Sequence, residues 1–190
     1  KLLLKITSYS KNKFNEGIAD QRKKFPADIV FLRYGKMESF DGLPKLREFA
    51  DAYRQMIQNI KTFTKRIVVM TPYPFESSGS LSSTAANRNQ VLENYVKIIH
   101  EIGLEEGALV INLFDTLRDI FSTPVKSLTR DGLQLNDHGH WLLAQEIMRQ
   151  LNINNNLKKA HVTRDQADGL LWPADREDLR QRIIYKNGLL

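Results

Sequence analysis

The stretch Asp131-Gly132-Leu133-Gln134-Leu135-Asn136-Asp137-His138-Gly139-His140 packs carboxylates, a turn glycine, two amides and two imidazoles into a few residues. Loops backed by a rigid element commonly present catalytic groups. A carboxylate three residues before a histidine can orient the imidazole and stabilise its protonated form, so that the imidazole activates a serine. Here the third residue after Asp131 is Gln134, and a neutral amide cannot take that proton. His138 and His140 remain as candidate bases. They stand two residues apart at a helix start and point to different sides, so at most one faces a site. A structural alternative competes with that role: Asp137 or His138 caps the helix and His140 packs at its start. The same spacing does not converge on a metal, and no metal or other cofactor is expected.

A second candidate loop reads Tyr34-Gly35-Lys36-Met37-Glu38-Ser39-Phe40. Gly35 permits close backbone approach, and its N–H is a possible oxyanion donor. No amide side chain at 36–38 supplies a second donor, and a tight turn at a strand end explains the glycine equally well. Serines are frequent at Ser77, Ser78, Ser80, Ser82 and Ser83, but no Gly-x-Ser-x-Gly elbow frames any of them. They read as loop residues.

The elements that must hold these loops alternate. Residues 28–33, 66–70 and 108–113 are short apolar runs of the kind buried on both faces of a parallel sheet. Between and after them, helical periodicity covers about 43–61, 85–102, 114–121 and 138–151. Gly103 and Gly107 flank the end of the second of these helices. Strand-helix alternation predicts a parallel α/β sheet with right-handed crossovers, and the site beyond the carboxyl ends of its strands. The loops at 34–42, 71–83 and 125–138 should meet there. Residues 1–12 fit either strand or loop, and 14–24 fit a short basic helix. An asparagine-rich linker covers 152–160, and a further helix is expected at 173–185. The domains expected are therefore 1–151, the α/β domain, and 152–190, a linker with a helical extension.

Composition sets outer limits. A hydrophobic fraction of 42% with 26% charged residues is that of an ordinary globular protein. No apolar run is long enough to span a membrane. The chain has no cysteine, which excludes disulfides, thiol nucleophiles and thiolate metal sites. Its net charge is +6, with the excess gathered in the first 24 residues rather than along a face with interleaved aromatics. That distribution argues against nucleic acid as a partner. The chain opens on Lys1, which fits a piece of a longer polypeptide with further domains.

Four blocks in order carry a resemblance: 29–40, then Arg66-Ile67-Val68-Val69-Met70-Thr71-Pro72, then Leu113-Phe114-Asp115, then 131–139. Together they resemble the SGNH (GDSL-type) hydrolases, most closely bacterial members of the kind found in Planctomycetes, over about residues 14–151. The segment 179–188 resembles a stretch that follows the hydrolase domain in those proteins. The resemblance implies a three-layer α/β/α sandwich with a flavodoxin-like parallel sheet. It also implies ester hydrolysis by a serine nucleophile, an oxyanion hole from Ser, Gly and Asn, and an Asp-x-x-His pair. Carried over by position, Gly35 matches the oxyanion glycine and Asp131 the acid. Met37 stands where the asparagine is expected, and Gln134 where the histidine is expected. The nucleophile block would lie upstream of any residue in this chain. The resemblance implies acyl esters on carbohydrates or lipids as ligands and leaves an extracytoplasmic location open.

Three functions follow from these residues: a hydrolase scaffold impaired or inactive in this chain, an active serine esterase using His138 or His140, and a non-catalytic binding or structural module of a larger protein.

Overall fold

The computed structural model describes residues 27–122 and 126–153, together with the backbone of a small strand pair at 163–164 and 170–171. The expected elements at 1–24, the asparagine-rich linker from residue 154 onward and the helix at 173–185 lie outside the described residues. The chain divides into two compact units, Lys1–Gln134 and Leu135–Leu190.

The first unit carries a parallel sheet in the order β1 (Val30–Leu32), β2 (Ile67–Met70), β3 (Leu109–Ile111). Val30 pairs with Ile67 and Leu32 with Val69; Val68 pairs with Leu109 and Met70 with Ile111. The strands are shorter than the apolar runs, because only part of each run is paired with a neighbour. Val30, Leu32, Ile67, Val68, Val69 and Ile111 are all buried. Alternation of strand and helix therefore reports the α/β class correctly. The sheet and its helices form the flavodoxin-like α/β/α arrangement.

Helix α1 (Leu46–Lys61) follows a single 3-10 turn at Leu43–Lys45, where Pro44 occupies the first turn. It buries Phe49, Tyr53, Met56, Ile57 and Ile60, residues spaced to lie on one side of a 3.6-residue helix. Helix α2 (Ala85–Glu105) buries Leu92, Tyr95, Val96, Ile99 and Ile102 in the same way. The two helices pack on each other, as consecutive right-handed crossovers in one direction require. Phe49 stacks on Tyr53, with ring centroids 5.5 Å apart, and meets Tyr95 at 5.0 Å.

Gly103 does not flank the end of α2 but lies inside it. A Cβ there would sit 2.7 Å from Val110 Cγ2 and 3.4 Å from Val69 Cγ1. The glycine thus lets helix and sheet approach closely, and the helix continues to Glu105.

Helix α3 (Leu113–Ser122) starts directly after β3. Asn112 caps it: its Oδ1 accepts the Asp115 N–H at 3.0 Å, and its Nδ2 donates to Asp115 Oδ2 at 2.7 Å. The fully buried Thr71 hydroxyl, at the end of β2, accepts the N–H groups of Leu113 and Phe114 at 2.8 and 3.1 Å. The orphan donors of the first turn are thus satisfied from a neighbouring strand.

In the second unit, α4 spans Asp137–Gln150. Its cap is Asn136, whose side chain accepts the Gly139 N–H at 2.9 Å. This replaces the expected Asp137 or His138. Asn136 has the extended backbone of an N-cap, and Asp137 already lies in the first turn, where its charge suits the helix dipole. Strands β4 (Thr163–Arg164) and β5 (Leu170–Leu171) form an antiparallel pair that periodicity does not signal.

Candidate functional site

Within the first unit the loops 34–42 and 71–83 meet residues 126–134 of the third loop beyond the carboxyl ends of the strands. Each is built by a local device.

The loop after β1 turns at Gly35. Its φ of +100° is accessible to glycine, and a Cβ would lie 2.5 Å from Ile99 Cδ1 on α2. The Ser39 N–H donates to the Gly35 carbonyl at 3.1 Å. The Gly35 N–H donates to the Glu38 carboxylate at 2.8 Å. A glutamate reaching back three residues to a backbone N–H is one half of a capping box, here ahead of the short helical turn Glu38–Asp41. The donor read from the sequence as an oxyanion contact is therefore engaged inside its own turn. Met37 is 60% exposed.

The loop after β2 runs buried from Thr71 to Glu76. Asn89 on α2 clamps it, accepting from the Phe75 N–H at 2.8 Å and donating to the Phe75 carbonyl at 2.9 Å. Glu76, 1% exposed, is the junction with the third loop. Its carboxylate accepts from the N–H groups of Leu128 and Thr129, both at 2.8 Å, from Ser127 Oγ at 2.9 Å, from Ser78 Oγ at 3.1 Å and from the Thr129 hydroxyl. Burial alone would raise its pKa. The bonds from Thr129, Leu128, Ser127 and Ser78 outweigh that and hold the carboxyl below its ordinary value. Such a carboxylate is a poor base, so Ser78 gains no activation from it. Ser77 donates to the Ser82 carbonyl at 2.6 Å and Ser80 to the Asp131 carbonyl at 3.3 Å. These serines anchor loops, as the sequence suggests.

The third loop turns at Gly132, with φ +87°. A Cβ there would lie 2.6 Å from the Ser78 carbonyl oxygen, and the Gly132 carbonyl accepts the Glu76 N–H at 3.1 Å. Asp131 Oδ1 accepts the N–H groups of Leu133 at 2.9 Å and Gln134 at 2.7 Å. Those two bonds, the Gln134 one foremost, hold its carboxyl below the ordinary aspartate value. Gln134 itself is exposed.

Lys36 ties the loops together. Its Nζ donates to the carbonyls of Pro74 at 3.2 Å and Leu133 at 3.5 Å and lies 3.5 Å from the centre of the Tyr73 ring. Tyr73 in turn donates its hydroxyl to the Leu133 carbonyl at 3.0 Å. Burial, with Arg33 beside it, pushes the lysine pKa well below its ordinary value, while Asp131 and Glu76 pull it back. Sequence reasoning singles out neither Lys36 nor Glu76. Their signal is present but faint: charged residues inside strand-end loops of an α/β sheet, Glu76 beside a run of serines and Lys36 directly after a turn glycine.

His138 and His140 lie in the second unit. His138 is half-buried with its ring stacked on Trp141, centroids 6.0 Å apart, and His140 is exposed. His138 shares a helix side with Trp141 at i,i+3. Among the described residues no group of histidine and carboxylate side chains is arranged to hold a metal. No described helix is long and apolar enough to cross a membrane.

With its loops gathered at the carboxyl edge of a parallel sheet, the chain is of the α/β class that keeps its functional site there. Residues 7–142 match the family model of the GDSL-like lipase/acylhydrolases, and the chain belongs to that family. Among solved structures it resembles a catalytic mutant of Axe2, an acetylxylan esterase from Geobacillus stearothermophilus. The TM-score is 0.58 at 19% identity, over 76% of this chain and 66% of that one. It also resembles LAE5, an α/β hydrolase from the metagenome of Lake Arreo, Spain, with a TM-score of 0.58 and 14% identity over 78% and 70%. A lipase/acylhydrolase from Enterococcus faecalis gives 0.55 at 19% identity over 74% and 67%. The chain thus spans about two thirds of the length of these structures. No curated protein matches it.

Proposed function

We propose that this GDSL-like domain keeps the ester-hydrolase scaffold while its hydrolytic chemistry is impaired or absent, and that its loop cluster binds an acylated ligand. One observation carries the proposal. The turn that should present a histidine to Asp131 presents Gln134, an exposed residue whose backbone N–H binds Asp131. Loss of a general base costs about 10²–10⁴ in rate. Loss of an oxyanion donor costs about 10²–10³, and at the second expected donor position stands exposed Met37. Asp131, Gly35, Gln134 and Met37 are the positions that define the site in this reading. The domain in question spans 1–151, with 152–190 as its extension; the family match, ending at residue 142, supports that division.

Acylated carbohydrate is the proposed ligand class, supported by the acetylxylan esterase among the structural neighbours. Melting temperature measured with acetylated and deacetylated xylooligosaccharides tests binding: a ligand held at about one hundred times its Kd stabilises by about 2.7 kcal/mol. No shift with either would leave a purely structural module. Gln134→His combined with Met37→Asn is expected to leave ester hydrolysis at background. Turnover of an acetyl ester by the unaltered chain would overturn the proposal, whereas turnover regained only in the double variant would place the impairment at these two positions.

A further inference from the structure

The carboxyl-edge loops carry cations and aromatic rings in alternation. Arg33 Cζ lies 5.4 Å from the centre of the Tyr73 ring, and Lys36 Nζ lies 3.5 Å from the same ring. Lys36 is also 4.8 Å from the Phe75 ring. Phe75 meets Phe40 edge-on at 5.4 Å, and Arg88 Cζ stands 4.2 Å from the Phe40 ring. The series Arg33, Tyr73, Lys36, Phe75, Phe40, Arg88 joins the end of β1, its loop, the β2 loop and the first turn of α2.

The cations differ in how they are satisfied. Lys36 is bonded to two carbonyls and faces Asp131 and Glu76. Arg33 and Arg88 form no ion pair among the described residues, whereas Arg54, Arg118 and Arg149 each do. The Arg88 Nε is shielded from solvent and has no acceptor. A guanidinium laid on a ring keeps its donor edge free for a planar or tetrahedral oxyanion. Holding a partly buried arginine without an acceptor is costly. Phe40, 39% exposed, fixes the plane of Arg88 at the rim of the loop cluster.

We propose that this rim is an anion-recognition site, with Arg88 and Arg33 receiving oxyanion groups of an acidic oligosaccharide. It deepens the proposed binding of acylated carbohydrate, and rests on that reading, by assigning the ligand a negative charge. Tyr73, Phe75 and Phe40 each carry at least one of the protein's own cations on the ring, which orients the donors.

Isothermal titration of the chain with oligogalacturonate, against a neutral xylooligosaccharide of equal length, tests it. The acidic oligomer should bind about tenfold or more tightly, and the difference should shrink as salt is raised. Arg88→Gln and Arg33→Gln should each weaken binding by about tenfold at unchanged melting temperature. Should Arg88→Gln unfold, Arg88→Lys, which keeps the charge and loses the fork, should still weaken it. Dextran sulfate bound with the same sensitivity to both variants would support the site and name sulfate as its anion. Equal affinity for acidic and neutral oligomers, indifference to both arginine variants, or tightest binding to a single-stranded oligonucleotide would overturn it. Hydrolysis plays no part in the readout. An active enzyme that binds oligogalacturonate through Arg88 would refute impairment and leave the rim standing.

Discussion

At the scale of single residues, the loop cluster is held by buried Glu76 and half-buried Lys36, which do different things. Glu76 accepts from two backbone N–H groups and three hydroxyls, so removing its carboxylate strands several buried donors. Glu76→Ala is expected to destabilise the fold by about 3 kcal/mol in urea unfolding. Its folded pKa is lowered. The stability it contributes is therefore fully present above its unfolded value and is lost as pH falls through the folded one. Glu76→Gln should flatten the acid limb of the stability–pH curve; an unchanged limb would mean that other carboxylates dominate it. Lys36 has the opposite sign. A lysine with a depressed folded pKa binds fewer protons when folded, so its burial opposes folding near neutrality, and stability rises with pH from the depressed value up to the ordinary 10.5. Lys36→Met should abolish that alkaline gain. Gly35→Ala meets both a positive φ and Ile99 Cδ1 at 2.5 Å. A loss of about 2 kcal/mol or more is expected. The turn at Gly35 is legible in the sequence, but the roles of Glu76 and Lys36 are only faintly so, because each depends on which loop lies opposite, and opposition is settled only by the crossover geometry.

At the scale of elements, the sequence is far more legible. Apolar runs locate β1 to β3, and helical spacing locates α1 to α4, because burial on one side is a local, periodic property. What it misplaces are the ends. Asn136 rather than Asp137 or His138 caps α4, since a cap depends on where the chain leaves extended backbone. Asn136→Ala is expected to cost about 1 kcal/mol. Gly103 reads as a terminator and is instead a close approach between α2 and the sheet. Gly103→Ala would gain about 1 kcal/mol of helix propensity in isolation. Against Val110 Cγ2 at 2.7 Å it is expected to lose more than it gains, measured as a lower urea midpoint. A raised midpoint would show that α2 can ride outward without cost.

At the scale of the whole molecule, the scaffold is more legible than the chemistry. Order of strands, strand-end loops and the family match over residues 7–142 all describe a GDSL-like hydrolase domain. That level is readable because four blocks scattered along the chain have to occur in one order. The reaction is readable only as a discrepancy, Gln134 and Met37 at positions where a base and an amide donor are expected. Burial and hydrogen bonding add that the Gly35 N–H serves Glu38 and that Glu76 holds the neighbouring serines as structural donors. The most direct measurement is fluorophosphonate labelling of the chain, read by intact mass, alongside p-nitrophenyl acetate hydrolysis. Impaired chemistry predicts no labelled serine and hydrolysis at the buffer rate. One stoichiometrically labelled serine together with saturable hydrolysis would contradict it.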